Sequence, residues 1–311
     1  MDLEDQEEFE RFVQEKESEI IEKFKFLFSQ NLFHPHNTIF KLRAWLNNFI
    51  EPNERLLALF ILENLIYRDP RMLESAVTRV LVKEIKNIYE NINNCSYDVF
   101  EWLQLLKSTK SNLKIKFVGV DKGEISQSSA VITRKLSPFI DRKYIPQNPD
   151  AINKAFQNND LIVFVDDFLG SGKQFTDFIT EKIITLENYS SSNSRMLYIP
   201  LIAMNKGMAK VNQDYSNIEI HPSEIIKIDN KLFNEDDIQS FYKDFKRTPQ
   251  QLISLFNQIG KHFSVNPQSW NGRNDAMQTV IFEWGCPNQT ISMLYHDRDV
   301  TAYCPLVPRR S

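Results

Sequence analysis

The sequence Leu161-Ile-Val-Phe-Val-Asp-Asp-Phe-Leu-Gly-Ser-Gly-Lys-Gln-Phe-Thr176 joins an apolar run to a pair of acids and then to a glycine turn. Five consecutive apolar residues ahead of Asp166 and Asp167 fit a strand covered on both faces, as parallel strands are. Gly170-Ser171-Gly172 then opens a helical pattern. In open parallel sheets ligands bind just outside the carboxyl ends of the strands. A ligand site is therefore expected at the end of this strand.

The Gly-Ser-Gly-Lys run invites comparison with a P-loop, which needs glycine five positions before Gly172 and Ser or Thr after the lysine. Asp167 and Gln174 stand there instead, so the P-loop is excluded. No GxGxxG is present, so the dinucleotide fingerprint is excluded too. What remains is chemistry. The peptide N–H groups of Gly170, Ser171, Gly172, Lys173 and Gln174 can cradle an anion at a positive helix terminus. Asp166 and Asp167 are placed to accept hydrogen bonds from vicinal hydroxyls, directly or through a divalent cation such as Mg2+. Phosphate beside a diol describes a ribose 5-phosphate.

Working outward, Leu113-Lys-Ile-Lys-Phe-Val-Gly-Val120 alternates as a strand and runs into Asp121-Lys122-Gly123, with a helix expected over 130–136. Only eight glycines occur in the chain, and Gly119, Gly123, Gly170 and Gly172 fall at these two turns, which favours close backbone approach to a ligand there. A short helix is expected over 150–157, a longer one over 174–187, a strand over 196–204 and an edge strand over 218–221. Two helices (236–245 and 248–263) and a last strand (278–284) follow. Strands alternating with helices predict an α/β fold with a doubly wound, mostly parallel sheet.

The first third lacks a strand pattern. Residues 4–29 and 37–50 carry apolar side chains at helical spacing, residues 56–67 are apolar almost all round, and helices are expected over 69–91 and 98–107. This gives an all-helical N-terminal block, residues 1–110, followed by an α/β domain, residues 111–311. The block is packing, a docking surface for a partner protein, or both.

Composition bounds the rest. With 42% apolar and 25% charged residues the chain is globular in type, and no apolar run approaches the length of a membrane span. The acidic start is unlike a signal or transit peptide, so a cytoplasmic location is expected. Residues 1–110 carry 14 basic and 19 acidic side chains and the remainder 23 and 22, so neither part has the basic excess of a nucleic-acid binder. Three widely spaced cysteines make no disulfide framework.

Val165-Asp-Asp-Phe-Leu-Gly-Ser-Gly172 resembles the phosphoribosyl-diphosphate signature of the type I phosphoribosyltransferases: apolar strand, two acids, two residues, a small residue, Thr or Ser, and Gly. The resemblance implies that Asp166 and Asp167 hold the ribose hydroxyls. It also implies that Gly170 to Gln174 surround the 5-phosphate, and that Asp121, Lys122 and Gly123 stand in the position of the pyrophosphate loop. Lys173 and Gln174 replace the family's usual glycine and threonine. The short stretch 137–159 stands where ordinary members carry paired strands and a mobile catalytic loop. With its helical prefix and C-terminal stretch, the whole chain resembles the phosphoribosyltransferase-like effectors of bacterial conflict systems, found beside anti-phage modules including some retrons. That implies an enzyme acting at a sugar on phosphoribosyl diphosphate or a nucleotide. A non-catalytic sensor that signals to a partner and a scaffold with a vestigial site are the alternatives.

Overall fold

The computed structural model describes residues 3–33, 38–120, 128–146, 148–158, 161–182, 194–226, 232–296 and 303–309. Contacts divide the chain into two compact units, Met1–Pro70 with Asp229–Ser311, and Arg71–Ile228. They do not separate near residue 110. The helices over 71–107 belong with the sheet, and the last third of the chain returns to the first helices.

In the first unit, α1 (Leu3–Ser29), α2 (Ile39–Leu46) and α3 (Pro52–Glu63) share one core with C-terminal residues. Pro52 at the first turn suits α3, since its missing N–H is one that no helix bonds internally. All seven residues Leu56 to Leu62 are buried, as an all-round apolar helix requires. The expected helix over 56–67 stops early. Asn64 turns its amide back to the Phe60 carbonyl (2.9 Å), and Ile66–Arg68 becomes strand β1. The first third is therefore not free of strands.

The second unit opens with α4 (Pro70–Arg79), a π-helical segment (Val80–Ile85), α5 (Lys86–Asn93) and α6 (Val99–Lys107). Its sheet is β2 (Ile115–Gly119), β3 (Leu161–Leu169), β4 (Arg195–Met204) and β5 (Ile218–Ile220) in that order, all parallel, with β6 (Glu224–Ile226) also paired to β4. Between the strands run α7 (Ser128–Leu136), α8 (Pro149–Asn158), α9 (Lys173–Lys182) and α10 (Asn205–Asp214). All nine residues of β3 are buried, so it is covered on both faces. Ile162 and Phe164 pack on Phe175, Phe178 and Ile179 of α9, with Phe156 of α8 and Val211 of α10 in the same cluster. Each such burial stabilises by roughly 1.5–3 kcal/mol relative to an exposed side chain.

The first unit is completed by α11 (Glu235–Tyr242), α12 (Pro249–His262), α13 (Pro267–Trp270) and β7 (Val280–Phe282). The last strand expected over 278–284 exists, but not in the main sheet. It pairs in parallel with β1, Ile66 opposite Val280. The Trp45 indole donates to the Met293 carbonyl at 2.8 Å, and Asn48 to that of Cys304 at 2.9 Å, which tie α2 to the C-terminal stretch. Among the described residues no helix is long and apolar enough to cross a membrane.

Candidate functional site at the end of strand β3

Pairing of β2 with β3 ends at Gly119 opposite Val165, whereas β3 and β4 stay paired as far as Leu169 and Ala203. Asp166 and Asp167 thus lie beyond the last residue pair on the β2 side. Both are buried, at 1% and 6% exposure. A crevice bordered by two acids forms because one strand outruns its neighbour.

The two acids differ in surroundings. Asp166 accepts at Oδ1 from the Asp167 N–H (2.9 Å) and at Oδ2 from the Tyr198 hydroxyl (2.9 Å). Burial first, and then the Asp167 carboxylate beside it, hold the Asp166 carboxyl well above its ordinary range. Burial and the Asp166 charge likewise raise the Tyr198 phenol. Both oxygens of Asp166 are engaged in this brace. Asp167 leaves its backbone N–H with that brace and carries the second carboxylate. Magnesium is commonly held by one or two carboxylates together with waters and substrate phosphates, and Asp167 fits that pattern.

The turn that follows is built on glycine. Gly172 has φ +79°, a left-handed conformation that costs glycine little, and Gly170 is buried. A Cβ on Gly207, in the first turn of α10, would lie 2.4 Å from the Gly170 carbonyl oxygen. Only glycine at 207 lets the loop seat against α10. The first N–H of α9 with an acceptor is that of Thr176, bonded to the Gly172 carbonyl at 3.0 Å. The N–H groups of Ser171, Gly172, Lys173 and Gln174 donate to no acceptor among the described residues. Orphan donors at a helix N-terminus are an anion site.

The structure brings Asp166, Asp167 and the 170–174 turn together. Gln174 Nε2 donates to the Val120 carbonyl (3.3 Å), which sets the first turn of α9 against the end of the β2 chain. Asp121, Lys122 and Gly123, expected to form the pyrophosphate loop, lie outside the described residues. Lys173 Nζ is paired with Asp177 at 2.8 Å, one helical turn on. Its side chain is 58% exposed, so this pair is weak and leaves the ammonium able to swing toward an anion.

Two residues of the site were not read from the sequence. Tyr198 sits in the apolar run 196–204, where a buried phenol signals a required partner. Gly207 is one of eight glycines and lies in the first turn of a helix, where its lack of a side chain calls for a close neighbour as the reason. No curated protein matches the sequence. The model of the PRTase-CE family, a phosphoribosyltransferase-type domain, matches residues 42–309. That span contains the acid pair, the glycine turn, most of the N-terminal helices and the C-terminal stretch, and the chain belongs to this family.

Proposed function

We propose that the end of β3 binds a ribose 5-phosphate ligand, phosphoribosyl diphosphate or a nucleotide, and acts at its sugar. The observation that carries this reading is that the backbone N–H groups of Ser171 to Gln174, directly after a buried acid pair, have no acceptor among the described residues. The 5-phosphate accepts from those N–H groups. Asp167 accepts from the ribose hydroxyls, and Asp166, braced by Tyr198, fixes the peptide that presents it. Asp167 would hold a magnesium ion, which would supply positive charge for a leaving pyrophosphate, and Lys173 supplies further positive charge. As the bond from the anomeric carbon to the leaving group breaks, the leaving group takes the electron pair, and the Asp167 carboxylate stabilises the positive charge that develops on the sugar until an acceptor nucleophile bonds to that carbon. The resemblance of the whole chain to conflict effectors supports an anti-phage effector role, exercised through a partner protein at the helical residues.

A sensing role without chemistry has its own support. Between residues 137 and 158 the described residues form a 3-10 turn and α8 but no strand pair, where a catalytic loop would stand. Calorimetric titration with phosphoribosyl diphosphate and magnesium tests the site. Wild type binds and Asp167→Asn loses affinity by about tenfold or more. Equal binding by the variant rejects the site. Mass analysis of nucleotides after incubation separates the roles, since a bound ligand that stays intact leaves the sensor.

A further inference from the structure

A second site is built in the unit that does not contain Asp166. Residues between Ser264 and His296, together with Arg309, line a groove of about 920 Å³, ample for a mononucleotide. Its lining is polar, and its charged members are two arginines, Arg273 and Arg309, against one carboxylate, Asp275. Asp275 accepts from the Asn271 amide at 3.1 Å. Neither guanidinium has a carboxylate partner among the described residues, whereas Arg55 and Arg195 have theirs. Two guanidinium groups bordering one cavity, neither paired with a carboxylate of the described residues, suit an oxyanion, since the planar fork matches phosphate oxygens in pairs.

Both arginines are carried by fixed backbone. The Arg273 N–H donates to the Asn288 carbonyl at 2.7 Å, and the Arg309 carbonyl accepts from Cys286 at 2.9 Å. The Arg309 guanidinium lies 5.7 Å from the centre of the buried Tyr295 ring. The strap bearing Arg273 is strained. Gly272, Asn274, Asp275 and Met277 all have φ between 47° and 74°. A Cβ on Gly272 would meet the Gln289 carbonyl oxygen at 2.2 Å, so the strap is pressed onto the turn below it. Left-handed backbone at residues other than glycine persists only where its surroundings impose it, and it gathers at ligand clamps.

We infer that this groove binds a phosphate-bearing small molecule of mononucleotide size, its phosphate held between Arg273 and Arg309. Amide side chains such as Asn288 supply the remaining hydrogen bonds.

The test is calorimetry on the full chain with adenosine 5′-monophosphate, magnesium removed by chelation. Wild type, Arg273→Gln/Arg309→Gln and Asp167→Asn are compared. Binding by wild type and by Asp167→Asn, with affinity about tenfold or more lower in the double arginine variant, supports the groove. Because both arginines are exposed, the variant folds, and circular dichroism checks that it does. No binding by wild type overturns the inference. So does equal binding by the arginine variant, or loss in Asp167→Asn alone. Phosphoribosyl diphosphate binding with magnesium is read separately on the same proteins, so either site can fail without the other.

Discussion

The Tyr198 hydroxyl donates to Asp166 Oδ2 across 2.9 Å, and neither residue is more than 1% exposed. The Tyr198 ring is in turn stacked on Phe175 of α9, with centroids 4.1 Å apart and planes 15° from parallel. One residue of β4 therefore fixes both an acid of β3 and the helix that opens at the glycine turn. Removing the hydroxyl leaves a buried carboxyl oxygen without its donor. Tyr198→Phe is expected to lose about 1–3 kcal/mol of stability, measured by urea unfolding, while the stacked ring stays. A variant as stable as wild type would show that the bond does not brace Asp166.

The same pair makes a pH prediction. Burial raises Asp166 well above its ordinary value of 3.8. The folded chain thus holds that proton to higher pH than the unfolded chain does. This contribution to stability is complete below 3.8 and is lost as pH rises through the raised value. The asparagine of Asp166→Asn has no such dependence. It accepts from the Asp167 N–H and donates to Tyr198, whose hydroxyl reverses. The stability of Asp166→Asn relative to wild type should therefore increase from about pH 4 to about pH 8, read from paired urea titrations. An opposite slope would mean that the native state favours the ionised carboxylate.

Gly207→Ala sets two effects against each other. Alanine within a helix gains about 1 kcal/mol over glycine. Its Cβ would lie 2.4 Å from the Gly170 carbonyl oxygen, a backbone atom with no rotamer to turn aside. Overpacking typically costs about 1–3 kcal/mol, so the clash prevails and the variant is less stable. The displaced turn should also weaken phosphoribosyl diphosphate binding. Thermal melting and calorimetry check the two consequences independently.

The sheet unit was legible because β3 opens on five consecutive apolar residues and β4 is apolar throughout after Arg195, and such runs mean strands buried on both faces. The acid pair and glycine turn were legible as a motif, down to the orphan N–H groups. What could not be read was partnership across the chain. Ile66–Arg68 is three residues long and sits in an apolar run, so helical periodicity absorbs it until Val280–Phe282 is seen beside it. The division by contacts after Pro70 and Ile228 was not legible for the same reason. A change of period marks where elements change type, while the units are set by contacts hundreds of residues apart, such as Trp45 with Met293. Tyr198 could be placed on β4 but not aimed at Asp166, because pairing register is tertiary information.

The cysteines give a probe of the first unit, with and without a ligand in the groove. Cys304 is exposed, whereas Cys286 is 6% exposed and burial raises its thiol far above the ordinary range. The thiolate is the reactive form, so a disulfide reagent at mildly alkaline pH should modify Cys304 quickly and Cys286 only as the unit opens. Site-resolved mass analysis reads both rates. The Cys286 N–H is bonded to the carbonyl of Arg309, the residue that would hold phosphate in the groove. A ligand that binds only the native state slows opening-dependent labelling in proportion to its occupancy. Adenosine 5′-monophosphate should thus protect Cys286 in wild type and fail to do so in Arg273→Gln/Arg309→Gln, with Cys304 unaffected in both. Labelling of Cys286 at the rate of Cys304 in the native protein would show that the thiol is not enclosed.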